Sequence, residues 1–235
     1  MYQGRVDMTI HDNLIQIRES MEKALERAGR KDTVTLVVVS KTQPPEVIEE
    51  AVNAGVRILG ENRVQEALQK KETVDARTGG RAEWHMVGHL QRNKVRHAVR
   101  LFTMIQSIDK VETAAEISKR VEKPMDILIE VNSSGEETKS GVHPDGLFEL
   151  ADRIRELERV VIRGLMTIGP LTTDEKRVRD AFTLTRGLYD RLLLKHPDLD
   201  MPFLSMGMTS DFEAAIEEGS TMVRIGTAVF GTRRI

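Results

Sequence analysis

Lys41 stands directly after the run TVTLVVVS (33–40), whose middle is continuously apolar, as a strand buried on both faces must be. Its stem is therefore expected to leave a buried strand and enter the space at that strand's end. Burial disfavours a charged ammonium, and a neutral amine is the form that attacks an aldehyde, so a Schiff-base lysine would stand here. The competing reading makes the same lysine an ordinary ion-pair partner of Glu61 or another carboxylate. Far along the chain, Ser205, Gly207 and Thr209 lie in SMGMTSD, ahead of a helix expected to start near Ser210 and Asp211. Gly226 and Thr227 close the later run MVRIG. Small residues let backbone N–H groups approach an anion, and a following helix N-terminus adds positive potential, so the two segments together suit a phosphate. Either alone also fits a tight turn. A lysine opposite both points to a phosphorylated aldehyde as ligand. Arg224 lies two residues before Gly226 and so shares its side of the strand. An arginine in an apolar strand is costly unless paired or used, which leaves an ion-paired core residue or a guanidinium facing a ring nitrogen of the ligand.

These residues need a scaffold that brings distant strand ends together. Short β-branched runs alternate with amphipathic segments throughout. Strands are expected at 33–40, 57–61, 83–87, 102–107, 126–131, 161–168, 203–206 and 222–226, with a helical pattern in every gap. Pro44 and Pro45 suit the first turn of the helix that follows the first strand. Eight βα alternations with no second compositional regime favour a single (β/α)8 TIM barrel over an open doubly wound sheet. An extra helix from His11 to Ala28 precedes it, residues 1–10 are expected to be a mobile end, and the 235 residues form one domain. In such barrels the working face is the C-terminal end of the strands. That rim would carry Lys41, Glu61, Asn62, His89, Gln106, Asn132, Thr167, the Ser205–Thr209 segment and Gly226-Thr227, with the Ser133–Gly141 loop at its mouth.

Composition narrows the partners. The formal net charge is −2 and both signs are spread along the chain, so no basic stripe nominates a nucleic acid. Cysteine is absent, which removes disulfides, cysteine-bound zinc, iron–sulfur clusters and thiol nucleophiles. No run approaches the roughly 18 apolar residues that a membrane span needs, and the N-terminal segment lacks a signal-peptide core, so a cytoplasmic protein is expected. His85 and His89 in WHMVGH share no helical face and have no carboxylate pattern beside them, so no metal is expected there. Trp84 and the methionines read as packing.

The segments VVVSKTQP, ILGENRVQEA, EWHMVGHLQRNK, IEVNSSGEETKSGV, IRGLMTIGP and SMGMTSDFEAAIEEGSTMVRIGTAVFG resemble, in this order, the pyridoxal phosphate homeostasis protein family, whose barrel is similar to the alanine racemase N-terminal domain. The resemblance implies pyridoxal 5′-phosphate (PLP) held as an internal aldimine on Lys41. It implies phosphate contacts from Ser205, Gly207, Thr209, Gly226 and Thr227, an arginine facing the pyridine nitrogen at Arg224, and ring contacts from Asn62 and Met166. Thr209 stands where the family often has serine and keeps the hydroxyl. The family has no established turnover, so the implied role is PLP homeostasis, with PLP-dependent apoenzymes as candidate recipients, a monomeric state, and no nucleic-acid or membrane partner. The alternative is a PLP-dependent amino-acid racemase. That reaction needs a second base on the far face of the substrate. Nine residues follow Gly226, so no second domain is expected, and Tyr2 and Tyr189 are the only tyrosines. A phosphosugar barrel using Lys41 as an aldolase would share the phosphate site and differ by lacking a yellow absorbance band.

Overall fold

Eight short parallel strands close on themselves: β1 (Thr35–Val39), β2 (Ile58–Glu61), β3 (Glu83–Met86), β4 (Met104–Ile108), β5 (Met125–Glu130), β6 (Val160–Met166), β7 (Phe203–Ser205) and β8 (Met222–Ile225). Each pairs with the next in sequence, and β8 returns to β1 through the register Thr35↔Met222 to Val38↔Ile225. The computed structural model describes residues 8–136 and 138–231. The expected (β/α)8 barrel is the one observed.

Period-2 alternation divides the side chains. One set, including Val38, Leu59, Ile105, Ile127 and Leu165, packs outward against helices and forms the large core. The other set, Val37, Val87, Met104, Leu128, Met166 and Met222, fills the barrel's interior with Val39, Ile58, Ile168 and Phe203 against it. Gly164 allows β6 and β7 to approach: its φ is +147°, and a Cβ there would sit 1.7 Å from the Phe203 carbonyl oxygen.

The helices follow the sequence pattern closely. They are α1 (Ile10–Arg27), α2 (Pro45–Asn53), α3 (Val64–Thr78), α4 (Val95–Leu101), α5 (Val111–Arg120), α6 (Leu147–Arg155), α7 (Glu175–Lys195), α8 (Phe212–Glu217) and α9 (Thr227–Phe230). The four-residue α9 was not anticipated. A 3₁₀ turn over Arg92–Lys94 leads into α4, and another over Pro144–Gly146 leads into α6. Of the expected mobile end, residues 1–7 lie outside the described residues. Thr9 already caps α1 in a reciprocal capping box with Asp12, and Ile10 is buried.

α1 lies against the outer helices, burying Leu14, Ile17, Met21 and Ala24, and packs on α8, α9 and α2. Asn13 reinforces this by donating to the Val229 carbonyl at 2.9 Å.

Candidate functional site

Above the apolar interior lies a polar layer that the alternation itself produces. His85, Gln106, Glu130, Ser205 and Arg224 each sit two residues beyond, or between, inward-facing apolar positions, and all are buried. All but Glu130 are linked from one side of the barrel to the other. Arg224 Nη1 donates to Ser205 Oγ at 2.6 Å, and Ser205 Oγ donates to Gln106 Oε1 at 2.8 Å. Gln106 Nε2 lies 3.0 Å from His85 Nδ1. Arg224 Nη2 donates to the Thr167 carbonyl at 2.7 Å. Burial pushes the guanidinium down to about 10, with Glu130 and Asp211 opposing, so Arg224 is still charged at neutral pH. Among the described residues Glu130 accepts no hydrogen bond at its buried Oε2, and burial together with Asp109 pushes it up to about 7 against the pull of Arg224. Gln106 was placed on the rim by the sequence without a role, and Glu130 was not singled out at all, although its spacing from Leu128 was a visible signal.

A cavity of about 410 Å³ opens over this layer, at the C-terminal ends of β8, β1 and β2. Six of the nine anticipated ligand residues line it: Lys41, Asn62, Thr209, Arg224, Gly226 and Thr227. Ser210 and Val39 also contribute to its wall. Arg224 and Gly226 share the cavity, as their spacing on β8 required.

The other three stand behind the wall. Ser205 and Met166 are fully buried, the first engaged with Arg224 and Gln106 and the second packed in the barrel interior. Gly207 has a φ of +93°, a Cβ there would meet Ala215 Cβ at 2.6 Å, and its carbonyl accepts from Arg224 N at 3.0 Å. It shapes the turn that presents Met208–Ser210 to the cavity. Ser205, Gly207 and Met166 therefore do not line this cavity, the two side chains being held in the packing around it and the glycine in the turn.

Lys41 also departs from expectation. It reaches the cavity mouth, as its place after β1 predicted, but is exposed there rather than buried. The alternative pairing with Glu61 does not occur either. Glu61 Oε1 lies 2.5 Å from Lys70 Nζ and accepts from Ser40 Oγ at 2.6 Å, all of them buried. Desolvation outweighs the ammonium there and raises the Glu61 carboxyl above its ordinary value. Among the described residues Lys41 forms no ion pair.

A larger hollow of about 810 Å³ adjoins the cavity and shares Ile168, Met208, Thr209 and Ser210 with it. Its cations are committed elsewhere: Arg27 to Glu213 and Glu217, Arg179 to Glu175, Glu217 and Glu218, and Lys139 to Glu136. The smaller cavity therefore holds the available chemistry. His85 and His89 do not meet, and no group of three or more His, Asp or Glu side chains among the described residues is placed to hold a metal ion. No helix among them is long and apolar enough to cross a membrane.

Residues 13–234 match the family described as alanine racemase, N-terminal domain. A pyridoxal phosphate homeostasis protein of Aquifex aeolicus is 46% identical over 231 residues, covering 97% of this chain and 100% of that one. Another, from Pasteurella multocida, is 40% identical over 230 residues, covering 96% and 98%. Structures of PipY from Synechococcus elongatus, without PLP and with PLP bound, superpose with TM-scores of 0.86 and 0.84 at 33% identity, covering 95% of this chain and 100% of theirs. An alanine racemase of Clostridium difficile shares the fold at 14% identity and a TM-score of 0.75, over 95% of this chain and 58% of its own.

Proposed function

Because this chain belongs to the alanine racemase N-terminal domain family and, within it, to the pyridoxal phosphate homeostasis proteins, we propose that its barrel-mouth cavity binds PLP covalently through Lys41 and that the protein serves PLP homeostasis. One observation carries this reading: a lysine amine that has no ion-pair partner among the described residues, a charged guanidinium and a hydroxyl-lined edge face a single cavity. The residues present fit the group. Thr209, Ser210 and Thr227 bring three hydroxyls to one side, and none of them bonds to protein among the described residues, which leaves them for phosphate oxygens. Gly226 keeps that edge low. When bound, PLP supplies an aldehyde carbon to which an amine nitrogen can join, the aldehyde oxygen and two amine protons leaving as water.

The chain's own groups divide the work. Lys41 Nζ offers the nucleophile. Arg224 borders the cavity with its orientation locked by Ser205 and the Thr167 carbonyl, and it would offer a fixed positive donor to the ring nitrogen of the bound group. A donor of that kind would keep that nitrogen unprotonated and make the ring a poorer electron sink. Asn62 closes the opposite side, and Met166 supports the floor from below. Tyr189 donates its hydroxyl to the Met201 carbonyl in the outer layer, away from the cavity, while Tyr2 lies outside the described residues. The protein is proposed to act in the cytoplasm as a monomer, with PLP-dependent apoenzymes as recipients.

The test is mass spectrometry after borohydride reduction of the PLP-loaded protein. A pyridoxyl group on Lys41, lost in Lys41→Ala without loss of the folded state, is expected; an adduct that persists in Lys41→Ala overturns the assignment. Incubating the loaded protein with L- and D-alanine should give no catalytic α-proton exchange, and sustained turnover would replace homeostasis by racemisation.

A further inference from the structure

We propose that α3 is the positioning element for Lys41, with Lys70 and Glu66 together fixing the two peptide planes that flank it; this inference rests on Lys41 being the attachment residue. The two side chains lie one turn apart on the same face of α3. Lys70 Nζ donates to the Ser40 carbonyl at 2.7 Å, and that carbonyl belongs to the peptide bond entering Lys41. Glu66 Oε2 accepts from Thr42 N at 2.8 Å, and that N–H belongs to the peptide bond leaving Lys41. Holding both planes fixes φ and ψ of the residue between them. Freedom then remains only in the lysine's own side chain, whose base points where α3 dictates.

Three further observations mark this as a device. Ser40 is pinned on its other sides by N–H donation to the Gly60 carbonyl at 2.9 Å and by its hydroxyl on Glu61. Thr42 has a φ of +63° and is the one non-glycine among the described residues with a positive value. A β-branched residue rarely adopts that region, and such strain persists only where surrounding contacts over-determine it. Here the contact on its N–H is Glu66. Finally, Lys70 and Glu61 form a buried pair, an arrangement that often stabilises a fold no better than apolar residues of similar size and that can instead specify one conformation. The conformation specified in this case is that of the segment bearing the nucleophile. Glu66 is at the rim, with about a quarter of its side chain accessible, so removing it leaves the barrel's core intact.

The experiment compares Glu66→Ala, Glu66→Gln, Thr42→Gly and the double variant Glu66→Ala/Thr42→Gly with the wild-type full chain. PLP is titrated into each, the absorbance of the lysine-linked cofactor is followed, and the adduct is located by reduction and mass spectrometry. Hydrogen exchange of the Thr42 amide is measured on the ligand-free proteins. Glu66→Ala should weaken covalent attachment about tenfold and speed Thr42 exchange by at least about tenfold, with its thermal midpoint within a few degrees of wild type. Glu66→Gln keeps an acceptor oxygen and should behave like wild type. Glycine adopts the left-handed conformation without strain, so the double variant should recover to within about threefold of wild type. Wild-type attachment by Glu66→Ala, or a double variant no better than Glu66→Ala, overturns the proposal. These failures are distinct from that of the underlying reading, which alone falls if the adduct survives in Lys41→Ala.

Discussion

Glu130→Gln probes the polar layer beneath the cavity. The residue is 3% exposed, its Oε2 has no partner among the described residues, and its carboxyl is pushed from 4.5 to about 7 by burial and by Asp109, with Arg224 opposing. A rise of that size makes ionisation cost about 3 kcal/mol more in the folded chain than in the unfolded one. The sign follows directly. A folded-state value above the unfolded one favours folding while the group is protonated. That contribution is complete below about pH 4.5 and is lost as pH rises through about 7. Wild type should therefore lose up to about 3 kcal/mol between about pH 5 and pH 8.5 through this residue alone. In Glu130→Gln that loss should vanish. The glutamine amide also lacks partners, but its penalty is the same at every pH, so the change in the difference between the proteins isolates the carboxyl. Glu61 and Asp211, also raised by burial, are common to both and cancel. The assay is urea unfolding followed by circular dichroism at several pH values. A stability difference that is equal at about pH 5 and about pH 8.5 would refute the assigned burial of charge.

Three further outcomes are expected. Gly164→Ala forces a Cβ to 1.7 Å from the Phe203 carbonyl oxygen at a φ unsuited to alanine, so β6 and β7 must separate; a stability loss of more than about 3 kcal/mol should appear as a sharply lowered thermal midpoint. Lys70→Met strands the buried Glu61 carboxylate and should cost about 3 kcal/mol near neutral pH, whereas Lys70→Met/Glu61→Gln should recover most of it in the same unfolding assay. Ser205→Ala removes the acceptor of Arg224 Nη1 and the donor to Gln106. It should lower stability by about 1–3 kcal/mol while the reducible adduct on Lys41 persists by mass spectrometry. Loss of the adduct would make Ser205 a direct ligand.

The barrel was legible because its signals are local. Buried parallel strands read as short β-branched runs and the covering helices as amphipathic stretches, so TLVVV and EVIEEAVNAG announce themselves without knowledge of partners. Arg224 and Gly226 on one side of β8 followed from the same alternation. The limits were also physical. The turn of α9 after Gly226 has four residues, too few for any period to show. Ser205 and Met166 lie near the proper strand ends, yet whether such a residue faces a cavity or the layer below depends on the height at which eight strands meet. Register shifts in β4 between Ile105 and Ile108, and in β5 between Ile127 and Ile129, alter that height locally.

By itself the sequence determined the barrel, the order of its strands and the set of rim residues able to meet an aldehyde and a phosphate, since each depends on periodicity along one segment. Only the tertiary structure decided which of them share a cavity, that Lys41 stands exposed with α3 gripping the peptides on either side, and that a chain of buried polar groups runs from Arg224 to His85. Those outcomes depend on closure and on side chains brought together from separate segments, 24 and 30 positions apart in the grip of α3 and up to 99 along the polar chain, and no local pattern encodes a distance of that kind.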